Sequence, residues 1–164
     1  MTDRVTLRDG TTLACRGLRA DDAERLRAFH TTLSAASARR RFFDDKPELA
    51  PQEAAELCNV DGRECCALVV LGPDTEFVAV GRYWRIEPDT AEAAFVVTDA
   101  WQGHGIATAL LGALADRGRA AGIRRLVADT AEDNDAMIDV FEHAALTHRR
   151  VDVYGLAHFE FDLD

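Results

Sequence analysis

In the stretch "FVVTDAWQGHGIATALL", Phe95 to Leu111, a β-leaning run, two glycines and an apolar, helix-spaced run follow one another directly. Gly103 and Gly105 let the backbone turn sharply and approach a ligand closely. A helix opening just behind them offers unpaired N–H groups and the positive end of its dipole, which is the chemistry of a phosphate or pyrophosphate site. Upstream, Glu92 is the one acid in the apolar "AEAAFVV", five residues before Val97. Burial there raises the pKa of a carboxylate and prepares it to act as a base near neutral pH. The alternative is a strand-edge glutamate paired with Arg82 or Arg85 on the preceding strand.

Two phosphate-bearing cofactors compete for the glycine loop. A dinucleotide fold needs a third glycine where Thr108 stands and a tight turn where "TDAWQ" intervenes, so that pattern is only partly met. Gln102, Gly105 and Ala107 instead fit Q/R-x-x-G-x-G/A. On these residues, and on the unit of strand, spacer, loop and helix around them, the chain resembles the GCN5-related N-acetyltransferases (GNAT). The opening "LRADDAERLRAFHTTLSAASARRRFF" is similar to the transferase domain of bacterial Pat-type protein-lysine acetyltransferases, here expected without the regulatory or ligase-like domain attached in those proteins.

The resemblance implies an α/β (α+β) GNAT fold, a central mixed and mostly antiparallel sheet flanked by helices and splayed at the acetyl-coenzyme A strand. It implies acetyl-coenzyme A as cosubstrate and no metal. The pyrophosphate would rest on the backbone amides of Gly103, His104, Gly105, Ile106, Ala107 and Thr108, with the Gln102 side chain and the Thr108 hydroxyl nearby. His104 stands where the family often has Arg or Lys; as a residue it reads equally as a solvent-facing loop histidine. The pantetheine arm would align with the backbone of Phe95, Val96 and Val97, Asn134 would contact the cofactor, and Glu92, in the Pat-like "AE-x-A-F" setting, would be the catalytic base. Two departures stand out. Phe141 occupies the position of the Tyr that many members use as general acid, and Ala145-Leu146 replaces a Gly-Phe ending. The implied activity is acetyl transfer to a primary amine, a protein lysine or a small-molecule amine, by direct attack in a ternary complex; the rival is a non-catalytic acyl-coenzyme A-binding module.

The elements that must position these residues follow from period and punctuation. Two β-leaning runs flank Asp9-Gly10, a hairpin dipeptide. Ala23, Leu26, Phe29 and Leu33 mark an amphipathic helix with Asp21 or Asp22 at its start. Further helices are predicted at "SAASARRRFF", opened by Ser34, and at "PQEAAELCNV", with Pro51 in the first turn. Three strands follow in "ECCALVVLG", "EFVAVGRYWRIE" and "AEAAFVVT", then a helix from about Gly105 to Ala121 stopped by Gly122. "RRLVADT" reads as a strand, "EDNDAMIDVFEHAAL" as a helix, and "RRVDVYGLAHFEFDL" as one or two closing strands. No internal repeat or linker interrupts this order, so residues 1–164 are expected to form a single domain.

Composition narrows the function classes. Apolar residues at 48% and charged ones at 29% fit a soluble globular chain, and no apolar run or N-terminal segment resembles a membrane span or signal peptide, so a cytoplasmic monomer or homodimer is expected. A formal net charge of −10 speaks against nucleic acid and leaves room for cationic substrates. Cys15, Cys58, Cys65 and Cys66 lack metal-ligand or disulfide spacing, and alternation would turn Cys65 and Cys66 to opposite faces of a strand. The basic "ARRRFF" beside Asp44 and Asp45 reads as a solvated, locally paired helix face, and "EDND" as a helix start carrying acids. Trp84 and Trp101 read as packing residues.

Overall fold

The computed structural model describes residues 2–164, which contribute one eight-stranded sheet and five α-helices. In chain order these are β1 (Thr2–Thr6), β2 (Thr12–Gly17), α1 (Ala23–Thr31), α2 (Ala35–Phe42), α3 (Pro51–Cys58), β3 (Cys65–Leu71), β4 (Phe77–Glu87), β5 (Thr90–Val97), α4 (Ile106–Ala120), β6 (Arg125–Ala131), α5 (Asp135–Glu142), β7 (His148–Val153) and β8 (Leu156–Asp162). The spatial order is β1-β2-β3-β4-β5-β6-β8-β7. Every neighbouring pair is antiparallel except β5 and β6, whose connection through α4 forces them parallel. The mixed, mostly antiparallel α/β architecture read from the sequence is therefore the architecture of the molecule.

Alternation along the strands divides the core in two. One face of the sheet carries Phe95, Phe159 and Phe161, sealed by Leu110, Leu111 and Leu114 of α4 and by Phe141 of α5. The other carries Ala67, Val69 and Val80 and is covered by Leu26 and Phe29 of α1 and Ala54 and Cys58 of α3. Cys66 is buried in the first core, while Cys65 turns to the opposite face and is half-buried. Helix α2 opens at Ser34, whose hydroxyl accepts the Ser37 N–H at 3.1 Å. α5 is shorter than its apolar period predicts. It stops at Glu142 because the segment beyond must enter the sheet, where the Thr147 carbonyl accepts the Asp162 N–H at 2.8 Å.

Candidate active site

β5 and β6 are paired only through Thr90↔Arg125, Ala91↔Leu126 and Glu92↔Val127, and past Glu92 they part. On the other side β5 stays joined to β4 along its whole length. The N–H of Thr98, just beyond β5, donates to the Val78 carbonyl of β4 at 2.9 Å, so by alternation the backbone groups of Val97 and Phe95 face the gap. The Gln102 side chain occupies the Val97 carbonyl at 3.0 Å, which leaves the Val97 N–H toward the opening. Val96 turns its backbone to Val80 of β4 and its side chain to the core beneath α1–α3; of the three strand residues, it supplies wall only. The gap continues into a cavity of about 450 Å³.

At one end of the cavity the chain leaves β5 through a short 3-10 turn at Asp99–Trp101 and enters the glycine loop. Gly103 and Gly105 hold φ values of +80° and +91°, where a side chain would be strained. At Gly105 an added Cβ would also come within 3.1 Å of Arg8 Cγ. The first helical bond of α4 runs from the Ala109 N–H to the Gly105 carbonyl at 3.1 Å, and among the described residues none of the N–H groups from Gly103 to Thr108 has a partner. These are six unpaired donors at the N-terminus of a fifteen-residue helix, and four of their residues, Gly103, Gly105, Ile106 and Ala107, line the cavity. The seat of this loop is fixed from the β1–β2 turn, where the Arg8 N–H donates to the His104 carbonyl at 3.0 Å; the Arg8 side chain lines the cavity. The sequence offered no signal for Arg8, which lies far from the loop along the chain.

Not every expected ligand side chain faces inward. The His104 ring lies against Trp101 with centroids 5.8 Å apart, and both His104 and Thr108 are exposed and outside the cavity lining. Of the loop, Gly103, Gly105, Ile106 and Ala107 line the cavity, while His104 and Thr108 do not. Asn134 is buried and lines the cavity, but its side chain first serves the fold: it accepts the Met137 N–H at 3.4 Å as the cap of α5 and donates to Thr130 Oγ1 at 3.0 Å.

Glu92 sits where the splay begins. Its direct partner on β4 is Trp84, which faces the cavity as well. The carboxylate has no ion-pair partner among the described residues: Arg82 donates to the Leu57 carbonyl at 3.0 Å, and Arg85 pairs with Glu64 at 3.0 Å. Two residues beyond its register partner on β6 lies Asp129, held by His158 of β8 at 2.7 Å. Burial, and then the charge of Asp129, push the Glu92 carboxyl above the usual glutamate range; His158, Arg41 and Trp84 oppose that shift. Phe141 lines the cavity as a buried ring, edge-on to Phe95, Phe159 and Phe161 at 5.1–6.0 Å, with no proton to give.

Helix α2 forms a wall along this cleft and corrects the reading of "ARRRFF" as a solvated face. Arg39 does pair with Asp45, and Arg40, though exposed, borders the cavity. Arg41 instead turns inward to the cavity, because it lies one helical turn from buried Ser37, on the face that packs against β5. Trp84 and Trp101 likewise do more than pack: both line the cavity.

With this geometry in place, comparison with known proteins gives a consistent picture. Residues 24–145 match the family model described as Acetyltransferase (GNAT) family. The chain is 38% identical to the GNAT domain of S. lividans PAT, covering 98% of this chain and 96% of that one with a TM-score of 0.91. It is 32% identical to acetyltransferase PA5475 of Pseudomonas aeruginosa over 82% of this chain and 75% of the relative. A cAMP-binding acyltransferase from Mycobacterium smegmatis matches at 27% identity and a TM-score of 0.69, over 100% of this chain and 48% of that longer one.

Proposed function

The chain belongs to the acetyltransferase (GNAT) family, and from that premise we propose that residues 1–164 act as one acetyl-coenzyme A-dependent N-acetyltransferase domain with Glu92 as its base. The observation that carries this reading is the placement of an unpaired, raised-pKa carboxylate at the point where β5 and β6 separate, in line with a cradle of free amides. The loop fits a pyrophosphate: its six unpaired N–H groups and Arg8 supply donors and positive charge, and a Cβ at Gly105 would press on the Arg8 side chain. Acetyl-coenzyme A would supply the activated acetyl group.

The protein's own residues then do three things. The amides of Gly103 to Thr108 and Arg8 hold the phosphates. The open backbone of Phe95 and Val97 aligns the pantetheine arm, with the Val97 N–H free for the thioester carbonyl oxygen. Glu92, directly or through a water, takes the proton that the amine loses as its nitrogen bonds to the acetyl carbon and the carbon–sulfur bond breaks. A thiol of ordinary pKa, about 8.5, leaves as thiolate with little help, so Phe141 is compatible with turnover. The acceptor is a primary amine. The opening segment, similar to that of Pat-type protein-lysine acetyltransferases, and the 38% identity to the S. lividans PAT domain favour a protein lysine, and the net charge of −10 favours any cationic acceptor.

The test pairs Glu92→Gln with wild type. The variant is expected to keep the thermal stabilisation given by acetyl-coenzyme A and to lose about 10²- to 10⁴-fold in kcat. Because the Glu92 carboxyl lies above the ordinary value, the acid limb of wild-type activity should fall above about pH 4.3. Equal rates for the two proteins would remove the base assignment. No stabilisation by acetyl-coenzyme A would remove the cofactor site, and stabilisation without turnover on any amine would leave the binding module.

A further inference from the structure

The acceptor side of the cleft contains a charge that the mechanism above does not use. Arg41 projects from α2 into the cavity and, among the described residues, makes no ion pair or hydrogen bond; its guanidinium lies over the ring of its neighbour Phe42 at 4.7 Å. Behind it, Arg82 of β4 is 5% exposed and held only by the Leu57 carbonyl, again with no carboxylate. Arg41 itself is half-buried; two arginines so placed repel each other, and a buried charge such as Arg82 without a counter-charge is costly. Burial first, and then the Arg82 charge, bring the Arg41 guanidinium down to about 10, with Glu92 opposing. Close by, only Glu92 carries negative charge toward Arg41, and it does not bond to it.

Place in the fold says which ligand meets this charge. α2 begins beside the glycine loop, where Gln102 Nε2 donates to Ser37 Oγ at 3.2 Å, and runs along β5 toward Glu92. Arg8 already stands at the phosphate end. Arg41 is one helical turn beyond Ser37, toward the base, on the same sheet face as Glu92 and Asp129. The reacting amine must enter this space. One rim of its entry is thus acidic, from Glu92 and from Asp129 held by His158, and the other is cationic, from Arg41 with the exposed Arg40 beside it.

We propose that Arg41, backed by Arg82, is an anion subsite of the acceptor pocket, and that the preferred acceptor is an amine carrying a carboxylate, which binds Arg41 while the amine lies at Glu92. This rests on the acetyltransferase reading and narrows its substrate class. The same chemistry is presented by a free amino acid and by a lysine side chain with an acidic neighbour. A guanidinium accepts either carboxylate through its planar fork, and the pairing supplies the missing counter-charge.

Two matched pairs of acceptors test it in the full chain with saturating acetyl-coenzyme A. Lysine and 1,5-diaminopentane differ by the α-carboxylate; acetyl-Glu-Lys-amide and acetyl-Gln-Lys-amide differ by an acidic neighbour. In wild type the carboxylate-bearing member of at least one pair should be favoured about tenfold or more in kcat/KM, carried by KM, and the pair that shows it identifies the source. Arg41→Gln should bring that ratio to within about twofold, and Arg41→Lys should keep part of it. Acetyl-coenzyme A should stabilise both variants as it does wild type, which confirms that they fold with an intact cofactor site. Acetylation of both pairs without preference, or a preference unchanged in Arg41→Gln, overturns the subsite and leaves the acetyltransferase reading standing. No acetylation of any of the four, or of other amines, overturns both.

Discussion

Two inward-facing arginines in this molecule have opposite surroundings. Arg16, 6% exposed, grips Asp22 with both ends of its fork at 2.7 and 3.0 Å and gives a further bond to the Gly17 carbonyl. Asp22 also accepts the Arg19 N–H at 2.8 Å, at the entrance to α1. The result is a complete set: the Arg16 bond holds the Asp22 carboxyl below the usual range, and the same bond raises the guanidinium. Arg41 has no such set. A buried charge whose partners all come from its own chain ties elements together, here β2 to α1. A half-buried charge in a cleft without them waits for something that arrives.

Removing the partner from the first arginine should convert it into the second. Asp22→Asn leaves Arg16 buried and uncompensated, and is expected to cost about 3–5 kcal/mol of stability. Arg41→Met removes a charge that has no partner, and should leave the denaturant midpoint unchanged or raise it. Urea unfolding of the two variants beside wild type checks the contrast. Comparable losses would mean that Arg41 is as structural as Arg16, and the comparison would fail.

The carboxylates next to the two arginines should separate in the same way with pH. Asp22 lies below its unfolded value, so its stabilisation is present above about pH 3.9 and is lost as pH falls through the lower folded value. Glu92 lies above its unfolded value, so what it contributes is present below about pH 4.3 and is lost as pH rises through the higher folded value. Glu92→Gln escapes that loss. Its melting temperature relative to wild type should therefore climb between pH 4 and pH 8, and thermal scans at the two pH values would show it. A flat difference would mean that the Glu92 carboxyl is not raised, and would weaken its assignment as base.

These contrasts also mark what could be read from the sequence. The mixed sheet, the helix behind Gly105 and the cap at Ser34 were legible because period, glycines and capping residues are local signals. Glu92 stood out for a local reason too, as the one acid in an apolar strand. Arg8, Asp129 and His158 belong to the site only because sheet order brings distant segments together, which no spacing records. Arg41 failed differently. Three consecutive arginines look alike in composition, and only the packing of α2 on β5 turns Arg41 into the cleft while Arg40 stays exposed at its rim and Arg39 pairs with Asp45 in solvent. The end of α5 was misjudged because the demand of the sheet for Thr147 overrides an apolar helical period.

The smallest expected effect closes the series on α2 itself. Arg39 and Asp45 form an ion pair whose side chains are 64% and 71% exposed, so water and salt screen it and the long Arg39 side chain must be ordered to keep it. Asp45→Ala should change the urea midpoint by less than the equivalent of about 0.5 kcal/mol, and by less still at high salt. A near-zero value would place the seat of α2 in its packing on β5 and its Ser34 cap, so that Arg41 is turned inward by the core of the helix. A loss above about 1 kcal/mol would instead show that a surface contact holds the C-terminal turn of α2 in place. The inward position of Arg41 would then depend on that contact, and screening it with salt should weaken acceptor binding along with stability.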